Sequence, residues 1–178
     1  MREAVVATLG LLSCGAAAQA QTTVVLPDTS QSSTVSVTVC EQARIAVPSG
    51  ISFNVTNVSA ATAASAVAVS IDQIVLASAT RQLRISLRAD AASFTPPAAG
   101  ETTWAAGDVS WPASTWTAGV GAGGVLSHST FNTVATCDAG TAACSTSSLV
   151  FSLAAKAAVQ RSGTHTLIVT WKVESIGS

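Results

Sequence analysis

The run from Ser162 to Glu174, SGTHTLIVTWKVE, constrains the fold more than any other stretch. Read two residues at a time, His165, Leu167, Val169, Trp171 and Val173 fall on one side. Thr166, Ile168, Thr170, Lys172 and Glu174 fall on the other. Successive side chains of a strand leave opposite faces, so an apolar row opposite a largely polar row describes a half-buried β-strand. Gly163 punctuates its start and Gly177 follows its end. The segment is expected to be the central closing strand of an all-β domain, with Leu167, Val169, Trp171 and Val173 in the core.

Other stretches read as partners for it. Thr34–Cys40 alternates, with Val35, Val37 and Val39 on one face, and Ile51–Asn57 places Ile51, Phe53 and Val55 likewise. Val67, Val69 and Ile71 share a face, as do Leu83, Ile85 and Leu87, and later Leu149, Phe151 and Leu153. Arg81, Arg84 and Arg88 read as a solvated strand face beside Asp90. Pro48-Ser49-Gly50 and the Phe94–Gly100 stretch are turn signatures. Ala154–Gln160 is either a helical turn or an extended continuation. Eight to ten short strands without crossover helices predict one antiparallel β-sandwich, Ig-like or jelly-roll-like, over residues 34–178.

Composition points to an exported chain. Of 178 residues only 10% are charged and 4% aromatic, the net charge is −1, and tyrosine is absent. An average soluble domain carries roughly 25% charged residues. So weak a charge leaves no electrostatic footprint for nucleic acid, and solubility rests on hydroxyl groups. Residues 1–20 have the layout of a secretory signal peptide: Arg2, an apolar run from Ala4 to Leu12, and Ala18-Gln19-Ala20 before Gln21. Leu11-Leu12-Ser13-Cys14 admits a second reading, a lipoprotein signal acylated at Cys14. Residues 21–33 read as an N-terminal extension. No stretch reaches the roughly 20 apolar residues of a transmembrane helix.

Export permits disulfides. Cys137 and Cys144 bound a six-residue, glycine-containing connection and are expected to bridge each other. That leaves Cys40 as a half-buried thiol or an intermolecular bridge. No C-x-x-C pattern or histidine spacing suggests zinc, and no cofactor or metal is expected.

Candidate chemistry is weak throughout. Gly119–Gly124 matches G-x-G-x-x-G, but lacks the preceding parallel strand and following helix that cradle a pyrophosphate. Ser127-His128-Ser129 cannot form a triad pair directly, since neighbours on a strand point to opposite faces. Asp90, Glu101 and Asp108 are loop acids rather than a glycosidase pair. No enzyme is expected. Trp104, Trp111 and Trp116 offer either packing at one end of the sandwich or a platform for stacking a sugar ring. Asn54-Val55-Thr56 and Asn57-Val58-Ser59 match N-glycosylation sequons, which a bacterial source, suggested by the signal layout, would normally make irrelevant.

The ending Gly163-Thr-His-Thr-Leu-Ile-Val-Thr-Trp-Lys-Val173 resembles the last strand of two bacterial surface families. Thr170-Trp171-Lys172-Val173 is similar to the Thr-Trp-x-Leu of WxL-type wall-associated domains. The Gly-x-His-x-x-x-Val-Thr segment, with the Val35–Val39 strand ending at Cys40, resembles pilin-like and spore-coat-U-like domains. Both resemblances imply an exported, non-catalytic surface β-sandwich. The expected function is a structural or adhesive envelope component, without catalysis, assembling through strand edges as a filament or coat subunit. Its partners would be other surface proteins or further copies of itself, with glycan binding through Trp104–Trp116 as the alternative.

Overall fold

A computed structural model describes residues 34–177; residues 1–20, read above as a signal peptide with Cys14 as its alternative acylation site, and residues 21–33, read as an extension, lie outside the described residues. The chain divides between Val39 and Cys40. From Cys40 onward it is all-β, with twelve strands, one 3-10 turn and no α-helix among the described residues. Among the described residues no helix is long and apolar enough to cross a membrane. The twelve exceed the eight to ten expected because several, such as Thr62–Ala63 and Ser152–Leu153, are two-residue pairings too short to carry a period.

The strands form three antiparallel sheets and do not close into a barrel. In the first, β1 (Gln42–Ala46) and β10 (Cys144–Leu149) flank β3 (Val67–Val75). In the largest, β12 (Val169–Ile176) lies beside β4 (Gln82–Ala89), followed by β9 (Asn132–Cys137), β7 (Gly119–Gly121) and β6 (Thr115–Trp116). The third pairs β2 (Thr62–Ala63), β11 (Ser152–Leu153), β5 (Val109–Trp111) and β8 (Gly124–Val125). A bridge between Thr117, just beyond β6, and Ser145 of β10 joins the first sheet to the largest. Thr146 Oγ1 reinforces it by donating to the Thr115 carbonyl at 2.7 Å. The two sheets are therefore one ribbon whose free ends are β1 and β12.

The alternation of β4 is fully realised: Leu83, Ile85 and Leu87 are buried. So are Val69 and Ile71 of β3, and Leu149, Phe151 and Leu153 around β11. The three arginines find separate partners. Arg81 pairs with Glu41, Arg84 with Glu174 directly opposite it on β12, and Arg88 lies 4.7 Å above the Phe131 ring. The Cys137–Cys144 disulfide forms as expected, and its place explains its use: it ties β9 of one sheet to β10 of the other. Ala154–Gln160 is neither helix nor strand; the Val159 amide turns back to the Lys156 carbonyl.

Three strand expectations are corrected. The terminal strand begins at Val169, and it lies at the outer edge of the largest sheet instead of its centre. Ahead of it the chain is tied to its surroundings by the Thr166–Thr95 bridge. Ile51–Asn57 keeps its alternating burial but joins no sheet. Thr34–Cys40 is likewise outside every strand, with Val35, Val37 and Val39 exposed. Periodicity reports that a segment suits a pleated surface; it does not supply the neighbour whose backbone completes the ladder.

Candidate functional site

Where the ribbon ends, the core shows. A groove of about 980 Å³ runs between the chain following β1, from Val47 to Val55, and the chain leading into β12, from Gln160 to Trp171. Its floor includes Leu87, Val109, Phe151 and Leu153, all buried. Its walls carry Ile51, Phe53 and Val55 on one side and Leu167, Val169 and Trp171 on the other. These six, with Val173, pack against the core but remain only half-buried. Leu167, Val169, Trp171 and Val173 thus take the inward side expected of them without reaching full burial, because the outer edge of β12 has no neighbouring strand.

One wall, Ile51–Val55, joins no sheet, and the other is paired on one side only, with β4 and, at Thr166, with Thr95. A β-strand away from a partner leaves a row of amides and carbonyls able to accept another chain. The groove is also nearly uncharged. Arg161 at its rim is met by Glu101 at 2.8 Å. His165 places Nδ1 2.8 Å from the Thr103 hydroxyl and its ring edge-on to Trp104, with centroids 5.2 Å apart. Its Nε2 is buried without a hydrogen-bond partner.

Gly163 shapes the entrance to this wall. Its φ of +137° lies where side chains are disfavoured, and a Cβ there would come within 2.7 Å of Pro97. Next in sequence to the floor residue Val109, Asp108 anchors the 3-10 turn Ala106–Asp108: its Oδ2 accepts from the Ala105 amide at 2.8 Å and from Lys156 Nζ at 2.9 Å. Burial alone would raise the Asp108 carboxyl, but the Lys156 and Ala105 hydrogen bonds and the lysine charge hold it below its ordinary value.

The tryptophans do not present a platform. Trp104, Trp111 and Trp116 are 5%, 2% and 6% exposed. Each indole N–H is donated internally, to the Ala154 carbonyl, the Ala122 carbonyl and the Ser114 hydroxyl respectively, all at 3.0 Å. They are packing residues, and the stacking surface expected of them as an alternative is absent. The glycine-rich stretch serves the same packing: a Cβ on Gly124 would lie 2.7 Å from the Trp111 ring, and one on Gly121 would strike the Ser114 carbonyl.

The remaining candidates are dispersed. Asp90 accepts from the Thr170 hydroxyl, Glu101 pairs with Arg161, and Asp108 with Lys156. Ser127 bonds to Ser129, and His165 to Thr103. No group of acids, histidines and cysteines among the described residues is arranged to hold a metal. Cys40 is exposed and lies outside the disulfide. Sequence reasoning missed the groove itself, whose signal was two alternating segments, Ile51–Val55 and His165–Trp171, each short of a partner. No protein-family model, curated protein or solved structure matches the chain.

Proposed function

We propose that this chain is an exported structural or adhesive component of the bacterial envelope, an Ig-like β-sandwich that assembles into a filament or coat by strand addition. The observation that carries the reading is the open seam between β1 and β12, floored by core residues and walled by extended chain that has no strand on its seam side. The occupant is the Thr34–Val39 segment of a second copy. It has the alternation of a strand and no charged side chain, matching the nearly uncharged groove. Its Val35, Val37 and Val39 are 88%, 84% and 68% exposed and belong to no sheet. At about 3.3 Å per residue, six residues span about 20 Å, enough to run past Ile51, Phe53 and Val55 and cover about two-thirds of the nine-residue wall from Val47 to Val55. Backbone hydrogen bonds to the seam edges supply affinity, and the alternate valines entering the groove supply specificity.

Light scattering on the purified chain tests this. The full chain is expected to form oligomers that grow with concentration, and deletion of Thr34–Val39 to leave a folded monomer. Identical behaviour of the two chains would remove the proposal.

A further inference from the structure

We infer that Glu41 commits this assembly to run between copies, by holding the root of the Thr34–Val39 segment where that segment cannot fill its own seam. The inference rests on the strand-addition reading above.

One carboxylate oxygen makes the arrangement. Glu41 Oε1 accepts from the Ala77 amide at 2.7 Å, from Arg81 Nη1 at 3.2 Å and from the Ser175 hydroxyl at 3.4 Å. Ala77 and Arg81 lie in the connection between β3 and β4, and Ser175 lies near the end of β12. Glu41 immediately precedes β1. The free ends of the ribbon are therefore bridged at this point. From it the two walls run out in opposite chain directions, toward Val55 on one side and back toward His165 on the other. The groove occupies those outer lengths.

Register then decides which chain reaches the groove. Only Cys40 separates Val39 from the clamped Glu41. To enter its own seam the chain would have to reverse across Cys40 and Glu41 and return beside β1. Two-residue reversals between strands need positive φ at their central residues, a demand met by Gly, Asn and Asp and poorly by Cys-Glu. Even with that turn, residue-for-residue pairing sets Val39 beside Gln42 and Thr34 beside Val47. The three valines would end where the groove begins.

A second copy has no such tether, and its valines are free to lie along the whole groove. Loss of the carboxylate would change this balance. The β1–β3 register already shifts between Gln42 and Arg44, so an unclamped β1 can peel from its start. A four-residue loop over Glu41–Arg44, built around a type I turn that needs no positive φ, would set Thr34 beside Ile51, inside the groove. Filling in the same chain would then compete at the millimolar effective concentration of a short tether.

The test compares the full chain with Glu41→Ala and Glu41→Gln by light scattering at equal concentration, with circular dichroism as the check on folding. E41A is expected to lower the oligomeric fraction at least about threefold in favour of a folded monomer, as intramolecular filling takes over. E41Q, which keeps an oxygen for the Ala77 amide, should fall between. In chains lacking residues 34–39, E41A should leave binding of a labelled TVSVTV peptide within about twofold of the unaltered groove, since the peptide carries no tether. Peptide binding lost together with assembly would make Glu41 a prop of the groove and overturn the inference. Oligomers of E41A equal to those of the parent chain would also overturn it, leaving strand addition intact. A parent chain that is monomeric with or without residues 34–39 would remove strand addition and this inference with it.

Discussion

Trp171 of β12 and Leu87 of β4 stand directly opposite each other, yet Leu87 is 1% exposed while Trp171 is only half-buried. Both line the groove. Leu87 has strands on either side, β12 and β9, whereas Trp171 has β4 on one side and no strand on the other. The difference between two paired residues thus records the seam. A strand laid along β12 would remove further apolar surface of Trp171, Val169 and Leu167 from water, at about 25 cal/mol per Å².

Charge placed on the added segment should block assembly without touching the fold. Val37 is 84% exposed, so Val37→Asp should change the monomer's stability by less than about 0.5 kcal/mol. Burying that carboxylate in the groove without a partner would cost a few kcal/mol, which weakens association by about 100-fold or more. Sedimentation velocity across a concentration series measures this.

Acid should weaken the turn that Asp108 anchors. The Asp108 carboxyl is held below its ordinary value, so its contribution is fully present above the unfolded carboxylate range. It is lost as pH falls through the lowered folded value. The expected share is about 1 kcal/mol or less, because the pair with Lys156 is partly exposed. Thermal melts of Asp108→Asn against the parent should differ at neutral pH and converge at low pH.

The disulfide should matter modestly for stability. Cys137 and Cys144 are seven residues apart, so the bridge constrains a short loop, and its removal should cost about 2 kcal/mol. Denaturant melts of the Cys137→Ala, Cys144→Ala double variant give the value. Because the bridge ties β9 to β10, the same variant should show faster hydrogen exchange in both strands than in β4.

Phe151 is 1% exposed and packs 5.7 Å from the Trp111 ring, beneath the groove. Phe151→Ala should cost about 3–5 kcal/mol in a denaturant melt. Glycan binding is not expected to respond to Trp104→Phe or Trp116→Phe, since both rings face inward.

What the sequence made legible was pattern over six or more residues. Leu83, Ile85 and Leu87 alternate across a central strand, and their burial follows directly. Cys137 and Cys144 were readable because a short connection leaves few other pairings. The walls of the groove were legible as segments and illegible as a site. Ile51–Val55 and His165–Leu167 carry strand periodicity, but that the first joins no sheet and the second is bridged only to Thr95 is a property of the whole ribbon. Trp104, Trp111 and Trp116 were ambiguous for a different reason: indole suits either a core or a sugar platform, and the choice depends on acceptors such as the Ala154 and Ala122 carbonyls, remote in sequence. Glu41 gave no signal, because its three donors come from residues 77, 81 and 175.

A second copy's Thr34–Val39 segment, on the reading proposed above, occupies the seam beside β12. Trapping tests it most directly: a Val37→Cys chain is mixed with a Leu167→Cys chain, both carrying Cys40→Ser, and oxidised under mild conditions. Disulfide-linked heterodimers joining positions 37 and 167, suppressed by excess TVSVTV peptide, are expected. Oligomers that form normally while no such link appears would contradict that reading.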